Sequence, residues 1–233
     1  MNNILIFIEI IIVFSALLIA YKLFGKIGVM VWVGLATVLA NIITAKNADV
    51  FGLSTAIGTV MFASTFLATD ILAEYHDAKS ARQAIYIGIM ADIVLIVSTQ
   101  IALLYRPSDF DYADGAMRTL FSLNLRISVA SLVMYAISNL ADVAIFSKMK
   151  KAGSKLWLRN NVATIVCNCL ENFGFIALAF AGIYDWNTIL IIALSTSAIE
   201  FIVALCDTPF LYLAGLINKR AKSKNMTETE ELA

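Results

Sequence analysis

Long apolar runs, each close to 20 residues and separated by clusters of charge, constrain this chain more than any other feature. A bilayer core about 30 Å thick is crossed by about 20 apolar residues in helical form. Applied to the 233 residues, that length picks out seven segments, at about 4–24, 28–45, 54–74, 83–105, 126–147, 162–184 and 187–217. Residues of the hydrophobic classes make up 61% of the chain and charged residues only 15%, against about a quarter charged in soluble domains. In lipid, backbone groups must be satisfied within the segment, which selects helices for these runs. The expected fold class is therefore all-α, a polytopic bundle of about seven transmembrane helices, six plus an extra N-terminal span.

The basic residues are not shared evenly between the loops. Lys22 and Lys26, Lys79 and Arg82, the cluster from Lys148 to Arg159, and Lys219 to Lys224 fall on one side of the alternation, 13 in all. Lys46, Arg106 and Arg118 fall on the other, 3 in all, and Arg126 lies within a span. The positive-inside rule then places the N-terminus outside and the C-terminus in the cytoplasm. Lys22 and Lys26 follow the first run and do not precede it, so that run reads as a retained span and not a cleaved signal. The segment 106–125 is an acidic outer loop with turn chemistry. Residues 218–233 form a polar cytoplasmic tail, expected to lose order beyond its first turn. Pro209, after Asp207 and Thr208, is expected to bend the seventh span.

Several chemistries are excluded. There is no G-x-x-x-x-G-K-[ST] phosphate loop, no H-E-x-x-H, and no complete serine elbow at Gly52–Thr55. The single histidine, His76, cannot build a histidine metal cluster. Cys167, Cys169 and Cys206 all lie in apolar runs and read as small packing residues. With zero net charge, no face advertises nucleic acid. No cofactor or metal is expected, and no enzymatic activity.

Ionisable residues inside a bilayer are costly, and they mark functional sites. In the sixth span, Asn161, Thr164, Asn168 and Glu171 recur at intervals of 3, 4 and 3, which places them on one helical face. Such a face must look inward, either as a polar seam between helices or as the wall of a solute path. The seventh span repeats the pattern with Thr196, Glu200 and Asp207. Asp70 and Glu74 in the third span, Asn41 late in the second, Arg126 at the outer end of the fifth and Asp142 near its cytoplasmic end complete the candidates, although Glu74 can also simply reach the interface and Arg126 can snorkel to it. Asp92 has few polar companions and is a weaker one.

The order of these pieces resembles the queuosine precursor transporter family, also grouped as vitamin uptake transporters. The resemblance rests on Ala40-Asn41-Ile42, Phe51-Gly52-Leu53-Ser54, Phe66 to Glu74, and Ala81-Arg82. It continues in Phe121 to Arg126, Asp142 with Lys148, Trp157 to Asn161 with Thr164, and Asp207 to Phe210, covering about 25–217. It implies import of 7-cyano-7-deazaguanine or 7-aminomethyl-7-deazaguanine across a bacterial inner membrane, by a secondary transporter or facilitator. The implied alternatives are another nucleobase-like or vitamin-like solute, or a substrate-binding subunit of an energy-coupled importer.

A deazaguanine offers an N–H and an exocyclic amino group side by side, which one carboxylate accepts in bidentate fashion. An amide such as Asn41 or Asn168 suits its carbonyl and pyrrole N–H, and Phe62, Phe66, Phe173 or Phe175 could stack on it. The expected substrate-binding residues are Asn41, Asp70, Glu74, Arg126 and Asn161, with Thr164, Asn168, Glu171, Glu200 and Asp207.

Five positions depart from the family pattern. Asn168 and Glu171 stand where glutamine and aspartate are commoner, Glu200 stands where lysine is expected, and His76-Asp77 replaces Tyr-Gly. Two close acids at 171 and 200 would share a proton where an ion pair is usual. The partners expected are a small deazaguanine-like molecule, the lipid bilayer and a second copy in a homodimer, within one transporter domain spanning 1–217.

Overall fold

A computed structural model describes residues 1–121 and 125–231. The elements are α1 (Asn2–Ile43), β1 (Asn47–Val50), β2 (Leu53–Ala56), α2 (Thr59–Tyr75), α3 (Ala78–Leu104), α4 (Asp114–Phe121), α5 (Leu125–Lys151), α6 (Leu156–Phe180) and α7 (Trp186–Glu231). Among the described residues, five helices are long and apolar enough to cross a membrane: α1, α3, α5, α6 and α7.

Helix α1, at 42 residues, is two antiparallel legs. Gly25 breaks it with φ 59° and ψ −141°, a conformation glycine adopts at little steric cost. A Cβ on Gly28 would stand 2.3 Å from the carbonyl oxygen of Ala20, so the chain doubles back immediately after the break. The start of the helix accordingly meets the residues just beyond its end. Asn2 Nδ2 donates to the carbonyl of Asp49 at 2.9 Å, and Asn3 Oδ1 accepts from the Phe51 amide at 2.8 Å. The first two expected spans are these two legs.

The third expected span, 54–74, is shorter than its apolar run suggested. Residues 53–56 pair with 47–50 in an antiparallel hairpin, and helix α2 begins only at Thr59. Phe51 and Gly52, both at positive φ, make the two-residue turn, whose backbone twist suits a hairpin. Phe7 packs edge-on against the Phe51 ring at 6.2 Å, holding the hairpin tip to the first leg of α1. Apolar alternation in Leu53-Ser54-Thr55-Ala56 is the strand signal within a run long enough to pass for helix.

Helix α2 is the centre of the bundle. It packs against α1, α3, α5 and α7, and it is buried on all sides from Ala63 to Ala73. Its neighbours cover it with one face and leave the other apolar face uncovered: Ile11, Ile12 and Ile19 on α1, and Val94, Val97 and Ile101 on α3. Exposed aliphatic surface of this extent is intolerable in water and is the surface that lipid covers.

The remaining boundaries differ modestly from expectation. Helix α3 starts at Ala78, capped by Asp77, five residues earlier than the apolar run. Helix α6 spans 156–180, because Trp157 to Asn161 forms its first turns below the apolar stretch. Pro209 lies inside α7, which continues on both sides of it. That helix runs to Glu231, where the tail had been expected to lose order after one turn. The segment 106–125 holds the short amphipathic helix α4.

The bundle has two distinct ends. One carries the hairpin. The other gathers the basic residues: Lys26 of the α1 turn pairs with Asp77 at 3.7 Å, and Lys150 of α5 pairs with Glu74 at 3.5 Å.

Candidate functional site

In the hairpin half of the bundle lies a cavity of about 560 Å³, within the range of about 300–1,000 Å³ typical of small-molecule sites. Helices α1, α2, α3, α5, α6 and α7 all contribute to it, and Asn47 and Ser54 to Ala56 of the hairpin line its rim. Its walls carry three acids, Glu171, Glu200 and Asp92. Glu171 of α6 accepts a 2.5 Å hydrogen bond from Ser138 Oγ of α5. Glu200 of α7 accepts one of 2.6 Å from Asn172 Nδ2, which also reaches Ser197 Oγ at 3.2 Å. Each of these two carboxyls is thus oriented by its own donor, and the two are not bonded to each other. In each case the bond engages one of the two carboxyl oxygens.

The opposite wall is built from α1, α3 and α5. Asn41 Nδ2 donates to Asp92 Oδ1 at 2.7 Å and to the Thr37 carbonyl at 3.0 Å. Thr37 Oγ1 donates to the Tyr135 hydroxyl at 3.2 Å. The Tyr135 ring meets Phe62 edge-on at 5.8 Å, and Phe175 and Phe180 supply a second aromatic face. Of the four aromatics proposed for stacking, Phe62 and Phe175 line the cavity, whereas Phe66 and Phe173 do not.

The expected site residues do not form one group. Asn41, Glu171 and Glu200 line the cavity. Asp70 and Asp207 lie outside its lining, fully buried nearer the basic end, with Asp142 between them in sequence and beside them in space. Asn161 Nδ2 donates to Thr208 Oγ1 at 2.8 Å, and Thr164 and Asn168 are buried between the cavity and that acidic centre.

Glu74 belongs to the basic end. Arg159 Nη2 lies 2.5 Å from Glu74 Oε2, at an angle outside hydrogen-bond geometry, and Lys150 donates to the carbonyls of Ala73 and Glu74. The side chain of Arg126 lies outside the described residues.

Sequence reasoning passed over Asn172, Ser138, Tyr135 and Thr37, and it ranked Asp92 low. Asn172 follows Glu171 directly and so points to a different face of an ideal helix. Only the approach of α7 reveals that this face also reaches the cavity. Asp92 looked isolated because its companion, Asn41, comes from another helix.

A polytopic helical bundle with an acid-lined, largely apolar cavity between its helices is the kind of architecture a membrane transporter uses. The comparisons with known proteins agree. Residues 56–214 match the family model described as "Putative vitamin uptake transporter". The chain is 37% identical over 204 residues to the "Probable queuosine precursor transporter" of Bacillus subtilis (strain 168), covering 86% of this chain and 89% of the relative. It is 28% identical over 141 residues to the "Queuosine precursor transporter" of Escherichia coli (strain K12), covering 60% of this chain and 62% of the relative. A "Probable queuosine precursor transporter" of Haemophilus influenzae is 30% identical over 124 residues, 53% of this chain and 51% of that protein. No solved structure matches the chain. The chain belongs to this transporter family, as a multi-pass protein of a bacterial inner membrane.

Proposed function

We propose that the chain imports a 7-deazaguanine precursor of queuosine, 7-cyano-7-deazaguanine or its 7-aminomethyl counterpart, through the cavity under the hairpin. One observation carries the reading: two oriented carboxylates, Glu171 and Glu200, share a cavity of about 560 Å³ with the aromatic walls of Phe62, Tyr135 and Phe175. A deazaguanine is a flat ring with three N–H donor groups and one carbonyl. Carboxylates accept the donors, aromatic faces take the ring, and the hydroxyls of Ser131 and Ser195 on the wall suit the carbonyl. Asn41 acts by positioning, since its amide nitrogen is committed to Asp92 and Thr37. Asn168 lies outside the cavity lining, and Asn172 commits its amide nitrogen to Glu200 and Ser197, so it too acts by positioning.

The positive-inside rule puts the basic end in the cytoplasm and the hairpin outside. The cavity then faces the source of the solute, and the buried acids and the Arg159–Glu74 pair close the cytoplasmic side. The role is transport, without chemical change of the solute. A homodimer remains part of the proposal, and its interface would be sought among the lipid-facing helices.

Uptake tests it. A bacterial strain unable to make the precursors, carrying this chain, should accumulate labelled 7-cyano-7-deazaguanine and regain queuosine in its tRNA. Glu171→Ala and Glu200→Ala should abolish both. No accumulation with the chain present in the membrane would reject the substrate, and full activity of both variants would reject the site.

A further inference from the structure

We propose that Asp70, Asp142 and Asp207 form a proton-carrying site, separate from the substrate cavity, that couples transport to proton movement. The three residues come from α2, α5 and α7, and their exposures are 0%, 0% and 1%. The Asp70 and Asp142 carboxyls stand within hydrogen-bonding reach of each other, and Asp207 is near enough for its charge to act on both.

What distinguishes this cluster from an ordinary polar seam is a shortage of donors. All four carboxyl oxygens of Asp70 and Asp142 lack a donor partner. Asn160 of α6, 0% exposed, donates its Nδ2 to Asp207 Oδ1 at 2.6 Å, yet its own Oδ1 accepts from nothing. Thr164, one turn along the same face and 1% exposed, has an Oγ1 without a partner. A fully buried cluster of acceptors must take up a positive charge, because two facing carboxylates cannot both stay ionised there. A proton placed between the two carboxyls meets that need with the atoms already present.

The charged and titratable groups around the site do not remove the need. On α2, Glu74 adds further negative charge, and Tyr75 donates its hydroxyl to the Leu211 carbonyl. Lys150 of α5 and Arg159 of α6 are engaged by Glu74 and the backbone around it. Cys167 of α6 lies close to Asp70 and Asp142 and brings no charge. Tyr21 of α1 bonds His76 at the basic end of α2. On α3, Asp77 is held by Ser80 in the turn, while Asp92 bonds Asn41 at the cavity.

The helices also link the two sites. On α5, Ser138, which holds Glu171, stands one turn from Asp142. On α6, Glu171 stands two turns from Thr164. On α7, Glu200 stands two turns from Asp207. Two turns amount to about 10 Å. A shift of these helices as the solute leaves the cavity must therefore disturb the spacing on which the shared proton depends.

The inference rests on the transport reading, and two measurements keep their failures apart. Infrared spectra of the purified, solute-free chain at neutral pH should show a protonated-carboxyl band that disappears or shifts in both Asp142→Asn and Asp70→Asn and persists in Glu171→Gln. In proteoliposomes free of sodium, an inward proton gradient should drive accumulation of labelled 7-cyano-7-deazaguanine. Asp142→Asn should lose that accumulation tenfold or more while still exchanging labelled for unlabelled base. An unaltered carboxyl band in the aspartate variants, undiminished gradient-driven accumulation by Asp142→Asn, or accumulation that follows a sodium gradient would overturn the proposal. If wild-type vesicles carry no labelled base, the substrate reading fails, and the infrared result still decides the proton site.

Discussion

Replacing Gly88 of α3 with alanine should damage the cavity from outside its lining. A Cβ at this position would lie 2.2 Å from the Tyr135 hydroxyl and 3.1 Å from Thr37 Oγ1, where ordinary contact begins at 3.4 Å. From 2.2 Å to 3.4 Å is a retreat of 1.2 Å, and Tyr135 has nowhere to go: it is 3% exposed, with Phe62 edge-on against its ring. The hydroxyl must leave Thr37, and a buried hydroxyl without its partner costs about 1–3 kcal/mol. If that cost falls on the state that binds solute, the half-saturation concentration for uptake rises roughly 5- to 150-fold. The assay is concentration-dependent uptake of labelled 7-cyano-7-deazaguanine, alongside the melting temperature of the purified protein. Tyr135→Phe removes the clashing oxygen, so Gly88→Ala/Tyr135→Phe should recover much of what Gly88→Ala loses. Normal uptake and melting in Gly88→Ala, or a double variant no better than the single, would refute the reasoning.

Other expectations concern the basic end. Hydrogen bonds from the Ser80 side chain and amide, with Lys26 nearby, hold the Asp77 carboxyl below the usual carboxylate range. A lowered folded-state value means that the cap stabilises fully above the unfolded value, about 3.9, and that this stability is lost as pH falls through the folded one. Asp77→Ala should cost about 1 kcal/mol at neutral pH, and Asp77→Asn less, as read by thermal unfolding of the full chain. Arg159→Leu leaves Glu74 buried without its guanidinium partner. It should cost about 3 kcal/mol, the low end for a broken buried pair, because the two side chains keep 10% and 14% exposure. A change below about 1 kcal/mol in unfolding would show that Lys150 alone suffices.

The bundle was legible because lipid leaves so few alternatives: an apolar run of span length has to be a helix. Two features escaped that rule for local reasons. The hairpin at 47–56 hides in an apolar run, and it is fixed by residues far away in sequence, since Asn2, Asn3 and Phe7 hold its turn. Helix α6 begins at Leu156, because its first turns are polar and find partners such as Thr208 on α7 and Ser154 in the preceding turn.

The candidate site was half legible. The spacing of Thr164, Asn168 and Glu171 identified an inward face, but spacing within one helix cannot show which groups meet across helices. It therefore grouped Asp70 and Asp207 with Glu171 and Glu200, and the packing of α2, α5 and α7 divides them into a cavity and a buried acidic centre. The departures from the family pattern acquire physical roles in the same way. Asp77 caps α3, His76 bonds Tyr21, and Glu200 takes its hydrogen bond from Asn172.

The most direct measurement is the affinity of the purified full-length chain for 7-cyano-7-deazaguanine, by titration calorimetry, with and without Glu171→Gln. The amide would turn a donor toward the donors of the base and lose the charge on the acceptor. The loss of about 1.5–3 kcal/mol corresponds to roughly 10- to 150-fold weaker binding. Saturable binding weakened by that factor is the predicted result. Binding of equal strength in the variant, or none in the wild type, would contradict the assignment of the cavity.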